Sequence, residues 1–72
     1  MTTEKLIEII GDFADIEGLE INDSTKIRNE IGLNSFDLIN VAVAIENASG
    51  VKIPDEKLSN VHTIGELKAL IG

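Results

Sequence analysis

The stretch Phe36 to Ala48 contains no Pro or Gly and carries its apolar residues at helical spacing. At about 100° per residue, Leu38, Val41, Ala42 and Ile45 fall on one side of the helix it predicts, over residues 35 to 48. Phe36, Ile39 and Val43 fall roughly opposite, with Asn40 and Asn47 beside them. A surface helix in a small bundle needs one apolar stripe, and a chain of 72 residues has few elements to cover a second. One stripe is therefore expected to pack on a core. The other is expected to stand exposed as a ridge, the kind of patch that marks a binding surface.

Ser35 stands at the start of this run, after Gly32-Leu33-Asn34. A hydroxyl at that junction is placed to accept from an early backbone N–H, so the ordinary reading of Ser35 is a helix cap. The rest of the chain frames it. Leu6, Ile9, Ile10 and Phe13 lie at i, i+3, i+4 and i+7 and predict a first helix over residues 3 to 14, capped by Thr2 or Thr3. Residues 15 to 34 form a long connection rich in Asp, Glu, Gly and Asn. Leu19 and Ile21 are expected to tuck inward there, and a short helical turn near 24 to 29 to point Ile27 at the core. A connection of that length in so small a chain is often tied to function, and this one leads to Ser35. Val51 and Ile53 return to the core, and Pro54 opens a short third helix through Leu58, with Asp55 and Glu56 at its positive end. Thr63-Ile64-Gly65-Glu66 has the spacing of a capping box for a last helix whose buried stripe is Ile64, Leu67 and Ile71. The expected fold is all-α: a four-helix bundle with a long first loop and a short third helix, one domain over residues 1 to 72.

Charge narrows the partners. Thirteen acids against six bases give a net charge of −7, and residues 1 to 30 hold eight of those acids and three of the bases. A nucleic-acid binder requires the opposite sign, as does attraction to an anionic membrane surface. Basic protein partners are the natural complement. No apolar run approaches the roughly 20 residues of a membrane span, and no leader pattern is visible, so a cytoplasmic monomer without membrane insertion is expected. The chain has no Cys, hence no disulfide and no thiol of its own.

Catalytic machinery is thin. A Ser nucleophile needs a base within hydrogen-bonding reach, and His62 is the single His, with no recognisable third group. A hydrolase built on Ser35 and His62 is the remote reading. Asp12-Phe13-Ala14-Asp15-Ile16-Glu17-Gly18 misses the ligand spacing of a calcium loop, so no built metal site is expected. The chain is expected not to be an enzyme.

Three segments carry a more specific signal. Glu30-Ile31-Gly32-Leu33-Asn34-Ser35-Phe36-Asp37-Leu38-Ile39 resembles the prosthetic-group site of the acyl carrier protein family, whose pattern is an acid, Gly-Leu, Asp-Ser-Leu, then an acid and aliphatics. Gly50-Val51-Lys52-Ile53-Pro54-Asp55-Glu56 and Thr63-Ile64-Gly65-Glu66-Leu67 resemble two later segments of that family, in the same order. The resemblance implies a covalent 4′-phosphopantetheine on Ser35, transferred from coenzyme A by a separate Mg²⁺-dependent phosphopantetheinyl transferase. Its thiol would carry acyl groups as thioesters for acyl-transferring and synthase enzymes of fatty-acid, lipid or polyketide-type biosynthesis. It also implies that the second helix meets basic docking patches on these partners, through Asp37 and Glu46 and through the apolar contacts of Phe36, Ile39 and Val43, with Asn40 on the same surface. Leu38, Ala42, Ile45 and Ile53 would line a shelter for the cargo. Three departures stand out: Asn34 in place of the usual Asp, Phe36 in place of Leu or Met, and Asn40 and Asn47 where fatty-acid carriers tend to have Glu. The Met1 start and the length imply a discrete carrier. The competing reading is a small acidic helical adaptor whose second helix docks a basic partner and whose Ser35 only caps that helix.

Overall fold

The computed structural model describes residues 2–71; Met1 and Gly72 lie outside it. Four α-helices follow in order: α1 (Thr3–Gly11), α2 (Ser35–Ser49), α3 (Asp55–Leu58) and α4 (Ile64–Ile71), with one π-helical turn (Ile27–Ile31) between α1 and α2. Helix α2 packs against both α1 and α3. No strand is formed among the described residues beyond an isolated bridge between Lys26 and Thr63. No helix among them is long and apolar enough to cross a membrane.

The aliphatic core follows the helical periodicity. Leu6, Ile9 and Ile10 of α1 meet Leu38, Val41, Ala42 and Ile45 of α2 and Ile64 and Leu67 of α4, all buried. Ile53 and Leu58 belong to the same cluster, while Ile71, expected in the buried stripe of α4, is half-buried, as is Leu70 beside it. Thr2 caps α1, its hydroxyl accepting from the Lys5 N–H at 3.1 Å. Helix α1 ends at Gly11 rather than at residue 14. The chain turns off after Asp12, so Phe13 leaves the buried stripe and is 37% exposed. Ile16 takes up the packing instead, its side chain lying over Gly11.

The long connection departs most from expectation. Leu19 is exposed rather than tucked in, while Ile21 is half-buried against the core. Beyond it the loop is tied down by polar groups. Thr25 is the one buried polar residue among those described; its hydroxyl accepts from the Asn22 N–H at 2.8 Å. The Asn22 side-chain oxygen in turn accepts from the Ser24 N–H at 3.0 Å. Backbone bonds then fasten this segment to the start of α4: Ile27 N–H to the His62 carbonyl (2.9 Å), Ile64 N–H to that of Thr25 (3.0 Å) and Gly65 N–H to that of Asp23 (2.8 Å). The turn expected at 24 to 29 forms three residues later, as Ile27–Ile31, and Ile27 and Ile31 both point into the core. It ends at Gly32, whose φ of +90° is the left-handed conformation that glycine adopts without a Cβ penalty.

Candidate functional site

Helix α2 begins as the sequence implies, but the cap is a different residue. Asn34 takes the capping position, its side-chain oxygen accepting from the Asp37 N–H at 2.8 Å. Ser35 is the first residue inside the helix. The expectation that Ser35 caps is therefore corrected: a side-chain oxygen can serve the third helical N–H only from the residue before the helix. Asn34 and Ser35 are both plausible caps by type, and which one serves depends on where Gly32 and the buried Leu33 leave the chain.

This shift frees the Ser35 hydroxyl. It is exposed and accepts from the Arg28 guanidinium at 3.0 Å, from the π-helical turn. The backbone N–H groups of Ser35 and Phe36, early in the helix, donate to no acceptor among the described residues. Donors of this kind, with the positive end of the helix dipole, favour an anion.

Two depressions meet at Ser35. The larger, about 280 Å³, runs between the π-helical turn, the start of α2 and the α3–α4 connection. Its buried lining is Ile27, Leu33, Leu38, Leu58 and Val61. The smaller, about 130 Å³, lies between α2 and α3 and includes Ile39 and Asp55. Of the residues expected to shelter a cargo, Leu38 lines both depressions, whereas Ala42, Ile45 and Ile53 sit in the core and line neither. Ala42 and Ile45 pack inward from α2 and Ile53 from the connection before α3, the commoner fate of buried aliphatics.

His62 lines the same groove as Ser35. No hydrogen bond joins the two side chains; the His62 N–H donates to the Glu66 carboxylate at 3.2 Å. That carboxylate also accepts from the Thr63 N–H at 3.1 Å, and the Thr63 hydroxyl accepts from the Glu66 N–H at 3.2 Å, closing the expected capping box. Among the described residues no group of three His, Asp or Glu side chains is placed to hold a metal ion.

The ridge on α2 is exposed as its wheel requires. Phe36 is 73% exposed, Val43 51% and Ile39 39%. Asp37, Asn40 and Glu46 are half-buried on the same helix.

A family model for the phosphopantetheine attachment site matches residues 4–71. The chain belongs to the phosphopantetheine-binding, acyl carrier protein family. It is 35% identical over 66 residues to the meromycolate extension acyl carrier proteins of Mycolicibacterium aurum and Mycolicibacterium smegmatis, spanning 92% of this chain and 68% and 67% of theirs. The protein of the same description from Mycobacterium tuberculosis is 35% identical over an alignment of 75 positions, covering 99% of this chain and 65% of its own. The chain thus spans about two thirds of the length of these relatives. No solved structure gave a significant match. Acyl carrier proteins carry rather than catalyse, and their prosthetic group is 4′-phosphopantetheine. The site fits that group. It offers an exposed hydroxyl, unpartnered N–H donors, a neighbouring guanidinium and a groove opening beside them.

Proposed function

We propose that the chain carries acyl groups as thioesters on 4′-phosphopantetheine attached at Ser35. It presents them to acyl-transferring and synthase enzymes of fatty-acid, lipid or polyketide-type biosynthesis. The observation that carries this reading is the Ser35 hydroxyl, exposed at the first turn of α2 and relieved of capping by Asn34. The description of the relatives as meromycolate extension carriers favours a lipid cargo.

In loading, the Ser35 oxygen attacks the phosphorus of coenzyme A that bears the pantetheine. The Oγ–P bond forms, the bond to 3′,5′-ADP breaks, and the hydroxyl proton passes to a base on the separate transferase. The unpartnered N–H groups of Ser35 and Phe36, at the positive end of α2, would hold the phosphodiester oxygens. The group supplies, when bound, the thiol that this Cys-free chain lacks. Phe36, Ile39 and Val43 give partners an apolar contact, and Asp37, Asn40 and Glu46 a polar border that complements basic patches.

Intact-mass spectrometry after incubation with coenzyme A and a broad-specificity transferase tests this reading. The wild type gains one phosphopantetheine and Ser35→Ala gains none. An unmodified wild type, under conditions that load a control carrier, overturns it.

A further inference from the structure

The two depressions beside Ser35 differ in charge. The residues lining the larger groove include Lys26 and Arg28 and no acid, although the Glu30 and Glu66 carboxylates accept from the backbone N–H groups of Lys26, His62 and Thr63 at its edge. That is unusual on a chain with thirteen acids and six bases. The smaller cleft, between α2 and α3, includes Asp55 and no base. Arg28 reaches across from the π-helical turn, and its bond to the Ser35 oxygen, at 3.0 Å, is its single hydrogen bond among the described residues. Most of its donors are therefore free.

The geometry points to Arg28 as a positioning residue that clamps the phosphodiester on Ser35 and lays the arm along the larger groove, away from the α2–α3 cleft. This rests on Ser35 as the attachment residue. Esterification replaces the neutral hydroxyl with an oxygen of an anionic phosphodiester at the same place. A guanidinium already donating there has a planar fork that matches two phosphate oxygens, and a charge-assisted bond is stronger than the neutral one it replaces. On the other side Asp55 lines the smaller cleft, and its carboxylate adds like charge there. Both terms turn the phosphate toward Arg28, and Ile27, Leu33 and Val61, which line the larger groove and not the cleft, then receive the chain that follows.

Amide chemical-shift changes between the unloaded and loaded protein read the direction of the arm without any enzymatic assay. In the wild type the larger changes fall on Val61, His62 and Thr63, and the smaller on Ile39 and Asp55. In Arg28→Gln the changes on the groove side drop by at least half; Arg28→Lys, which keeps the charge, retains the side preference. Salt gives an independent arm on the wild type: raising it from about 50 mM to about 0.5 M screens an exposed ion pair and shrinks the groove-side changes. Changes concentrated at Ile39 and Asp55, an unaltered pattern in Arg28→Gln, or a salt-invariant pattern overturns the clamp. Should Arg28→Gln fail to fold, which its unloaded spectrum shows, the salt series decides. A wild type that gains no mass refutes the attachment site instead, so the two failures are told apart.

Discussion

Asn34 and Ser35 divide two tasks, of which capping suits either residue type and only Ser35 offers a hydroxyl. Asn34 holds the helix, and the Ser35 hydroxyl is left exposed beside Arg28. Asn34→Ala should cost about 0.5–2 kcal/mol in a denaturant titration, the usual cost of a lost cap. Ser35→Ala should change stability by less than about 0.5 kcal/mol, as an exposed substitution with no structural bond to the helix does, while abolishing loading. Equal costs for the two would return the cap to Ser35. The residues around Ser35 single it out as the candidate attachment residue. Its freedom from capping was not, because propensity ranks Asn and Ser alike and only the path of the backbone through Gly32 and Leu33 separates them. The Arg28 contact was equally hidden, since it spans seven positions across a π-helical turn that periodicity does not announce.

At the scale of elements, the two faces of α2 were readable from spacing alone, and the structure separates them as the wheel does. Ile45→Ala, on the fully buried face, should cost about 2–5 kcal/mol. Val43→Ser, on the ridge, should leave stability within about 0.5 kcal/mol while weakening partner binding. Equal thermal shifts for these two would deny the separation. The end of α1 and the course of the loop after it were less legible. Phe13 satisfied the helical spacing, yet Gly11 and Asp12 end the helix before it. The later part of the loop is fixed by hydrogen bonds at Thr25 and by backbone bonds to the start of α4, which leave no periodic trace. Gly65 exposes that seam. A Cβ there would lie 2.9 Å from the Asp23 carbonyl oxygen, closer than contact allows. Gly65→Ala should therefore destabilise by about 1–3 kcal/mol, as overpacking does, although the same change elsewhere in a helix stabilises. A raised melting temperature in this variant would show that the loop is not pinned to α4.

Over the whole molecule, charge and core serve different ends. The aliphatic core holds the four helices, while a net charge of −7 complements basic partners in the proposed function. Association with the transferase should slow about tenfold or more as salt rises from about 50 mM to about 0.5 M, because long-range steering is screened. A salt-independent on-rate in stopped-flow would assign docking to Phe36, Ile39 and Val43 alone. The chain also carries hydroxyls on Ser24, Ser49 and Ser59. The Ser49 hydroxyl donates to the Ile45 carbonyl at 2.7 Å and that of Ser59 to the Glu56 carbonyl at 2.8 Å. The Ser24 hydroxyl donates to the Asn22 side-chain oxygen at 2.7 Å. The Ser35 hydroxyl alone among these serines lies at the first turn of a long helix, accepting from a cation. Fragment-ion mass spectrometry of the loaded chain tests that distinction most directly. It should place the phosphopantetheine on Ser35 and on no other residue; a fragment series that locates it on Ser24, Ser49 or Ser59 would contradict the account.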